Sequence, residues 1–277
     1  MISKKVNKKI NKMIRKFIVY YLKRYSNMKN MQGYFEYLYL SVLDFMNYGR
    51  GGGVLESGEM NVIKYINDCV NNESEITVFD VGANIGLFSK ALVNGFDSKA
   101  KVYAYEPSVK TYKSLLNNIK EFQRIQAYNI GFSNKEKRTL LYTDKDASGL
   151  ASVYKRDIDH YNISMNKSEE VTLSTIDIFC ESNNIKKIDF LKLDVEGHEL
   201  SVLEGAKKMI DKNAIHFIQF EFGGCNIDSR TYFRDFYNFL KDKYKIYRIL
   251  SDDLIEINNY SEAREIFLIT NYLAELK

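Results

Sequence analysis

The chain has 277 residues, 45% hydrophobic and 27% charged, with one proline and a net charge of +4 at pH 7. This is the balance of a soluble globular protein able to bury one α/β domain plus a smaller appendage, with no evident linker. Cys69, Cys180 and Cys225 are scattered, odd in number and without C-x-x-C spacing, which argues against a disulfide framework or zinc site and fits reduced cytosolic thiols.

Ten basic residues (Lys4, Lys5, Lys8, Lys9, Lys12, Arg15, Lys16, Lys23, Arg24, Lys29) precede the first acid, Glu36, leaving 30 basic against 36 acidic residues elsewhere. Val6, Ile10, Met13, Ile14, Phe17, Ile18 and Leu22 recur at spacings of three and four, as in a basic amphipathic helix. Such a helix could lie peripherally on the anionic inner face of a membrane, at about 1 kcal/mol per basic residue near that surface, or serve as a solvated or packed helix. The apolar run Phe17–Leu22 is too short to span a bilayer and no small-residue cleavage site follows it, so a cytoplasmic location is expected. The acidic remainder does not continue the basic patch, and no nucleic-acid partner is expected.

Residues 34–71 read as two helices separated by Gly51-Gly52-Gly53, a candidate hinge or lid. Residues 1–72 are therefore taken as a basic helical extension and cap, and 73–277 as the main domain. Strands are expected at 76–81, 101–106, 126–130, 188–194, 215–222, 245–250 and 265–270. Helices are expected near 85–95, 108–121, 175–183, 199–211 and 229–242. This alternation predicts a largely parallel doubly wound sheet covered on both faces. The polar segment 131–174 reads as an inserted hairpin and loop, whose Ser148–Ser152 stretch could border a substrate cleft or equally be an idle surface loop.

The most informative stretch is Val78–Ser89, followed by Tyr105-Glu106-Pro107. A β-branched run ending in Asp80, a turn with Gly82 and Gly86, and an acid twenty positions after Gly86 form the layout of a nucleoside-binding β-α-β unit. Asn84 occupies the position where a dinucleotide fingerprint needs its close-approach glycine, and no Gly-Lys-Ser/Thr is present, which excludes a P-loop. Asp80 can accept from an ammonium and Glu106 can grip both ribose hydroxyls. Asp-x-Gly-x-Asn-x-Gly is therefore read as an S-adenosylmethionine loop.

A second constellation runs Leu191-Lys192-Leu193-Asp194-Val195-Glu196-Gly197-His198-Glu199. If the first and fourth strands flank the topological switch point, Asp194 emerges beside Asp80 and Gly82. Alternation would send Lys192, Asp194 and Glu196 to one side. Methyl transfer to oxygen needs alignment and a base for the hydroxyl proton, for which Asp194, Glu196 and His198 are candidates. Helix capping by the same acids is the alternative. Glu221 ends the next strand. Oxygen ligands suit magnesium, so Asp194 and Glu221 could share a divalent metal, although their spacing does not require one.

Val78–Gly86, Ala104–Pro107, Leu191–Ala206 and Ile218–Glu221, in that order, resemble the FkbM family of S-adenosylmethionine-dependent methyltransferases. The resemblance implies a class I methyltransferase fold, Rossmann-like, with seven strands and the last antiparallel, and methylation of a hydroxyl. It implies a cofactor pocket of Asp80, Gly82, Asn84, Gly86 and Glu106, with Ser133 or Asn134 toward the adenine. On the acceptor side it implies Lys192, Asp194, Glu196, His198 and Glu221. The expected reaction is O-methylation of a sugar in a glycan or glycolipid. Methylation of a small secondary metabolite, on oxygen or nitrogen, or a non-catalytic cofactor-binding partner in a biosynthetic complex, is the alternative.

Overall fold

The structure, a computed structural model, describes residues 4–50 and 57–277; Gly51-Gly52-Gly53 lie outside the described residues. The chain divides into two compact units, Met1–Met46 and Asn47–Lys277. The first contains helices α1 (Lys4–Leu22) and α2 (Gln32–Phe45).

The second unit begins its regular structure with α3 (Glu59–Cys69), then β1 (Ile76–Val81), α4 (Leu87–Gly95), β2 (Ala100–Tyr105), α5 (Val109–Ile119) and β3 (Ile125–Tyr128). There follow β4 (Gly131–Phe132), β5 (Lys137–Thr143), β6 (Lys167–Ser174), α6 (Ile176–Ser182), β7 (Ile188–Leu193), α7 (Glu199–Gly205) and α8 (Lys207–Asp211). The chain closes with β8 (Ile215–Phe222), α9 (Cys225–Ser229), α10 (Phe233–Leu240), β9 (Tyr244–Ile249), β10 (Leu254–Glu256) and β11 (Thr270–Leu276).

The main sheet has the order β10-β9-β11-β8-β7-β1-β2-β3. Strands β3, β2, β1, β7 and β8 are mutually parallel, and β11 inserts antiparallel between β8 and β9. This is the class I methyltransferase arrangement, with the seven expected strands and an eighth, β10, antiparallel at the edge. Strands β1 to β3 step outward in one direction and β7 returns to the other side of β1. The switch point therefore falls between β1 and β7, where ligands of such sheets bind. There Asp80 is level with Lys192 and Val81 with Leu193.

The apolar residues of each strand alternate between two cores. Val78, Val102 and Phe190 face α3, α4 and α5, whereas Phe79, Tyr103 and Leu191 face α6, α7, α8 and α10. Helix α3 belongs to this domain because Val62, Ile63 and Ile66 are fully buried against Ile76, Val78 and Phe96. The boundary thus lies at 46/47 rather than 72/73: the apolar face of α3 must be covered, and the sheet covers it.

Two expected elements move. The last strand is 270–276, not 265–270, because its register pairs Thr270 with Phe222 and Glu275 with Phe217. The preceding apolar run packs outside the ladder, with the Phe267 ring 5.2 Å from that of Phe222. The segment 229–242 is broken at Arg230, whose φ of +57° separates α9 from α10. The inserted segment forms its own small sheet, β4-β6-β5, closed by a Tyr142–Ser152 bridge that lays residues 148–153 across the end of the main sheet.

Ile66→Ala should cost the second unit about 2–5 kcal/mol through an unfilled cavity, read as a lower urea midpoint. A change within about 0.5 kcal/mol would place α3 outside the core.

Candidate functional site

The turn after β1 is set by backbone geometry. Gly82 has φ +86°, and a Cβ there would lie 1.8 Å from the Asp194 carbonyl oxygen, so only glycine lets the two strand ends meet. The N–H groups of Gly82 and Ala83 donate to the Tyr105 carbonyl (3.0 and 2.9 Å) and that of Asp194 to the Val81 carbonyl (3.0 Å). The turn is thereby tied to both neighbouring strands. Gly86, also at positive φ, starts α4, and a Cβ there would meet Leu115 at 2.6 Å. Its role is close packing on α5, not lining the cleft.

Glu106 emerges from the end of β2. Its Oε1 accepts from the Ser108 N–H (2.9 Å) and its Oε2 from the Asn84 N–H (3.0 Å). The carboxylate therefore faces the cleft held from both sides, with lone pairs remaining for ligand hydroxyls. Burial pushes it up to about 7 against these two donors. Asn84, at φ +48°, donates from Nδ2 to the Ser148 carbonyl (3.3 Å). Its buried Oδ1 has no partner.

The cleft so formed is lined by Gly82, Asn84, Glu106, Asp194, Glu196 and His198, with Phe132, Leu141 and Val153 as apolar walls. It opens to solvent, and its cavity volume is about 120 Å³, smaller than the roughly 300–1,000 Å³ usual for small-molecule sites. Ser148, Gly149 and Ala151 line it too.

Asp80 does not line it. The carboxylate is wholly buried, accepts from Ser89 Oγ at 2.5 Å and lies 3.9 Å from Lys192 Nζ. The reading that it meets a ligand ammonium is corrected, because its strand position turns it inward. Burial raises its carboxyl, against the pull of Lys192 and Ser89.

Lys192 is buried as well. Its ammonium donates to Asp194 Oδ2 at 2.9 Å and sits 4.4 Å above the Phe88 ring. Burial opposes its charge, but Asp194, Asp80 and Glu59 outweigh burial and raise it. Lys192 supports the cleft from behind rather than reaching an acceptor. Asp194, with 38% of its side chain exposed, is the member of this group that opens to the cleft.

The chain then turns through Glu196 (φ +52°) and Gly197 (φ +100°). This break in alternation carries Glu196 to Arg156 instead of alongside Lys192, and the two form a buried ion pair. Burial first, then Asp194, pushes Glu196 up to about 8 despite Arg156. Glu199 closes the turn by accepting from the N–H groups of Val195 (3.0 Å) and Gly197 (3.2 Å).

His198 lines the cleft, but its two ring nitrogens face Tyr154 Oη (3.0 Å) and Ser133 Oγ (2.9 Å). Burial lowers it to about 4. Both ring nitrogens are thus engaged by protein hydroxyls. Ser133 is fully buried in that contact and Asn134 bonds Glu204; neither lines the cleft. Glu221 is buried one strand over, with Oε1 unpartnered, and burial, then Asp194 and Glu196, hold its carboxyl well above the usual range. The groups converging with Glu221 are Glu196 and Cys225, whose ligand atoms all lie within 4.8 Å of one another; Asp194 turns to Lys192 instead.

Arg156 and Tyr154 were not among the expected site residues, and Ser152 was expected only as part of a stretch that could border the cleft. Ser152 Oγ donates to the Glu196 carbonyl (2.7 Å) and Arg156 pairs with Glu196 and, at 3.7 Å, with Asp228. They arrive from a polar loop 40 residues upstream, and no local pattern announces the pairing.

The profile of the Methyltransferase FkbM domain matches residues 80–248, from the cofactor-type turn to β9. The chain belongs to the FkbM methyltransferase family. It is 30% identical over 154 residues to the hexuronic acid methyltransferase AglP of Haloferax volcanii, spanning 53% of this chain and 56% of AglP. It is 24% identical over 180 residues to Methyltransferase 1 of Beauveria bassiana (58% and 72% of the two chains). It is 20% identical over 152 residues to the 2-O-methyltransferase NoeI of Sinorhizobium fredii (52% and 62%). The chain thus spans less than two thirds of AglP and NoeI. A solved FkbM methyltransferase from Methylobacillus flagellatus superposes with a TM-score of 0.46 at 17% identity, covering 73% of this chain and 44% of that one.

Burial favours the protonated form of the acids in and behind the crevice of this FkbM methyltransferase. Glu106, Glu196 and Glu199 are raised from 4.5 to about 7, 8 and 7, chiefly by burial. The folded chain therefore holds protons that the unfolded chain releases, and these groups make stability fall as pH rises from 4.5 through about 8. His198, lowered from 6.5 to about 4, acts oppositely, and its contribution is lost only as pH falls from 6.5 through 4. The melting temperature of the ligand-free protein should accordingly drop between about pH 6.5 and 8.5. A flat or rising profile would contradict this reading of the buried acids.

Proposed function

We propose that this methyltransferase uses S-adenosylmethionine to methylate a hydroxyl of a sugar in a glycan or glycolipid. The observation that carries the cofactor assignment is Glu106, presented to the cleft by two backbone N–H groups beside a turn where only Gly82 fits. The residues suit the cofactor: a carboxylate grips two vicinal hydroxyls, the unpartnered Asn84 Oδ1 awaits a donor, and apolar walls suit an adenine. S-adenosylmethionine supplies an electrophilic methyl group on a sulfonium.

The chain's part is charge, position and proton removal. Asp194, oriented by Lys192, places a carboxylate at the strand end beside Gly82, where a cationic sulfur is favoured. Glu196 lines the cleft and is the carboxyl placed to accept the hydroxyl proton; raised to about 8, it becomes available as a base as pH rises through that value. The sugar acceptor is supported by the similarity to AglP, a hexuronic acid methyltransferase, and transfer to oxygen by the similarity to NoeI, a 2-O-methyltransferase.

Glu106→Ala should weaken binding of S-adenosylhomocysteine roughly 10- to 100-fold in calorimetry, the loss of about 1.5–3 kcal/mol expected for hydrogen bonds to a charged group. Tighter binding of NAD than of either sulfur compound would sink the cofactor assignment. Glu196→Gln should leave that binding intact and reduce methyl transfer to a sugar acceptor by about 10²- to 10⁴-fold. Undiminished turnover would place the base elsewhere.

A further inference from the structure

Helix α1 has a surface that methyl transfer does not use. Ile10, Met13, Ile14, Phe17, Ile18 and Tyr21 are all exposed, Met13 by 67% and Phe17 by 62%. At about 100° per residue they fall within an arc of roughly 140° on one side of the helix. Phe17 and Tyr21, with ring centroids 4.4 Å apart, make the centre of this stripe one continuous aromatic surface. Arg15 and Lys16 flank the stripe on either side, and Lys12 lies opposite.

We infer that α1 lies in the headgroup region of an anionic lipid bilayer, apolar stripe down, as an interfacial anchor. An exposed apolar stripe this broad requires a cover, and charge selects which one. The 19-residue helix carries seven basic residues and no acid, so pairing with the same helix of a second copy would bring like charges together. A nucleic acid would satisfy the charge and leave the apolar stripe uncovered. An anionic bilayer satisfies both, with the stripe reaching the acyl boundary and flanking cations snorkelling to phosphates. No helix among the described residues is long and apolar enough to cross a membrane, so α1 would rest on the surface rather than span it.

The inference does not depend on the methyl acceptor. It is tested with the full chain by co-sedimentation with vesicles of phosphatidylcholine alone and of phosphatidylcholine containing phosphatidylglycerol. Binding is expected on the anionic vesicles, at least about tenfold stronger than on the neutral ones, and should weaken steeply with added salt. Ile14→Glu combined with Phe17→Glu should reduce it by about tenfold or more, with S-adenosylhomocysteine binding followed to show that the variant is folded. Wild-type binding that ignores headgroup charge, or no binding to either vesicle, would overturn the inference without touching the enzyme assignment. So would a lipid-free dimer dissociated by the same variant, or RNA binding that survives it, if vesicles are not bound.

Discussion

A buried ammonium holds the crevice together. Lys192 is buried between the ends of β1 and β7, 2.9 Å from Asp194 and 3.9 Å from Asp80, with its charge over the Phe88 ring. Carboxylates gathered at one sheet edge would repel one another and resist burial. A single cation lets Asp80 remain inside and Asp194 face outward. Removing one partner of such a buried set is costly because it leaves the others uncompensated.

Around that ion set, backbone geometry does the positioning. Gly82 allows the β1 turn to touch the Asp194 carbonyl, and the Glu196-Gly197 turn reverses the chain under Glu199. The inserted sheet then supplies a second support, with Ser152 on the Glu196 backbone and Arg156 on its carboxylate. The cleft is thus walled by elements distant in sequence but each fixed by hydrogen bonds or an ion pair, a preorganised arrangement suited to aligning two reactants.

Much of this was legible in the sequence. Strand-helix alternation and turn glycines placed β1, β2, β7 and β8, and an acid at the end of β2 pointed to Glu106. What failed was depth and partner. Asp80 reads from its motif position as a cleft residue, but its side chain falls on the inward side of β1. His198 reads as a candidate base, and only the folded chain brings Ser133 and Tyr154 to its two nitrogens. Arg156 carries no signal, because a buried ion pair between residues 40 apart leaves no periodicity. The last strand was displaced because an apolar run, 266–269, looks like a strand whether it joins the ladder or packs against it.

The role of Lys192 is tested most directly by comparing the unfolding free energy of Lys192→Met with that of the natural chain at about pH 8 and about pH 5. At the higher pH the variant should lose about 3–5 kcal/mol, the cost of an uncompensated buried charge. At the lower pH the loss should shrink, since burial raises the Asp80 carboxyl and protonation relieves it. A variant as stable as the natural chain at pH 8, or one destabilised more in acid, would mean that the crevice does not depend on this cation.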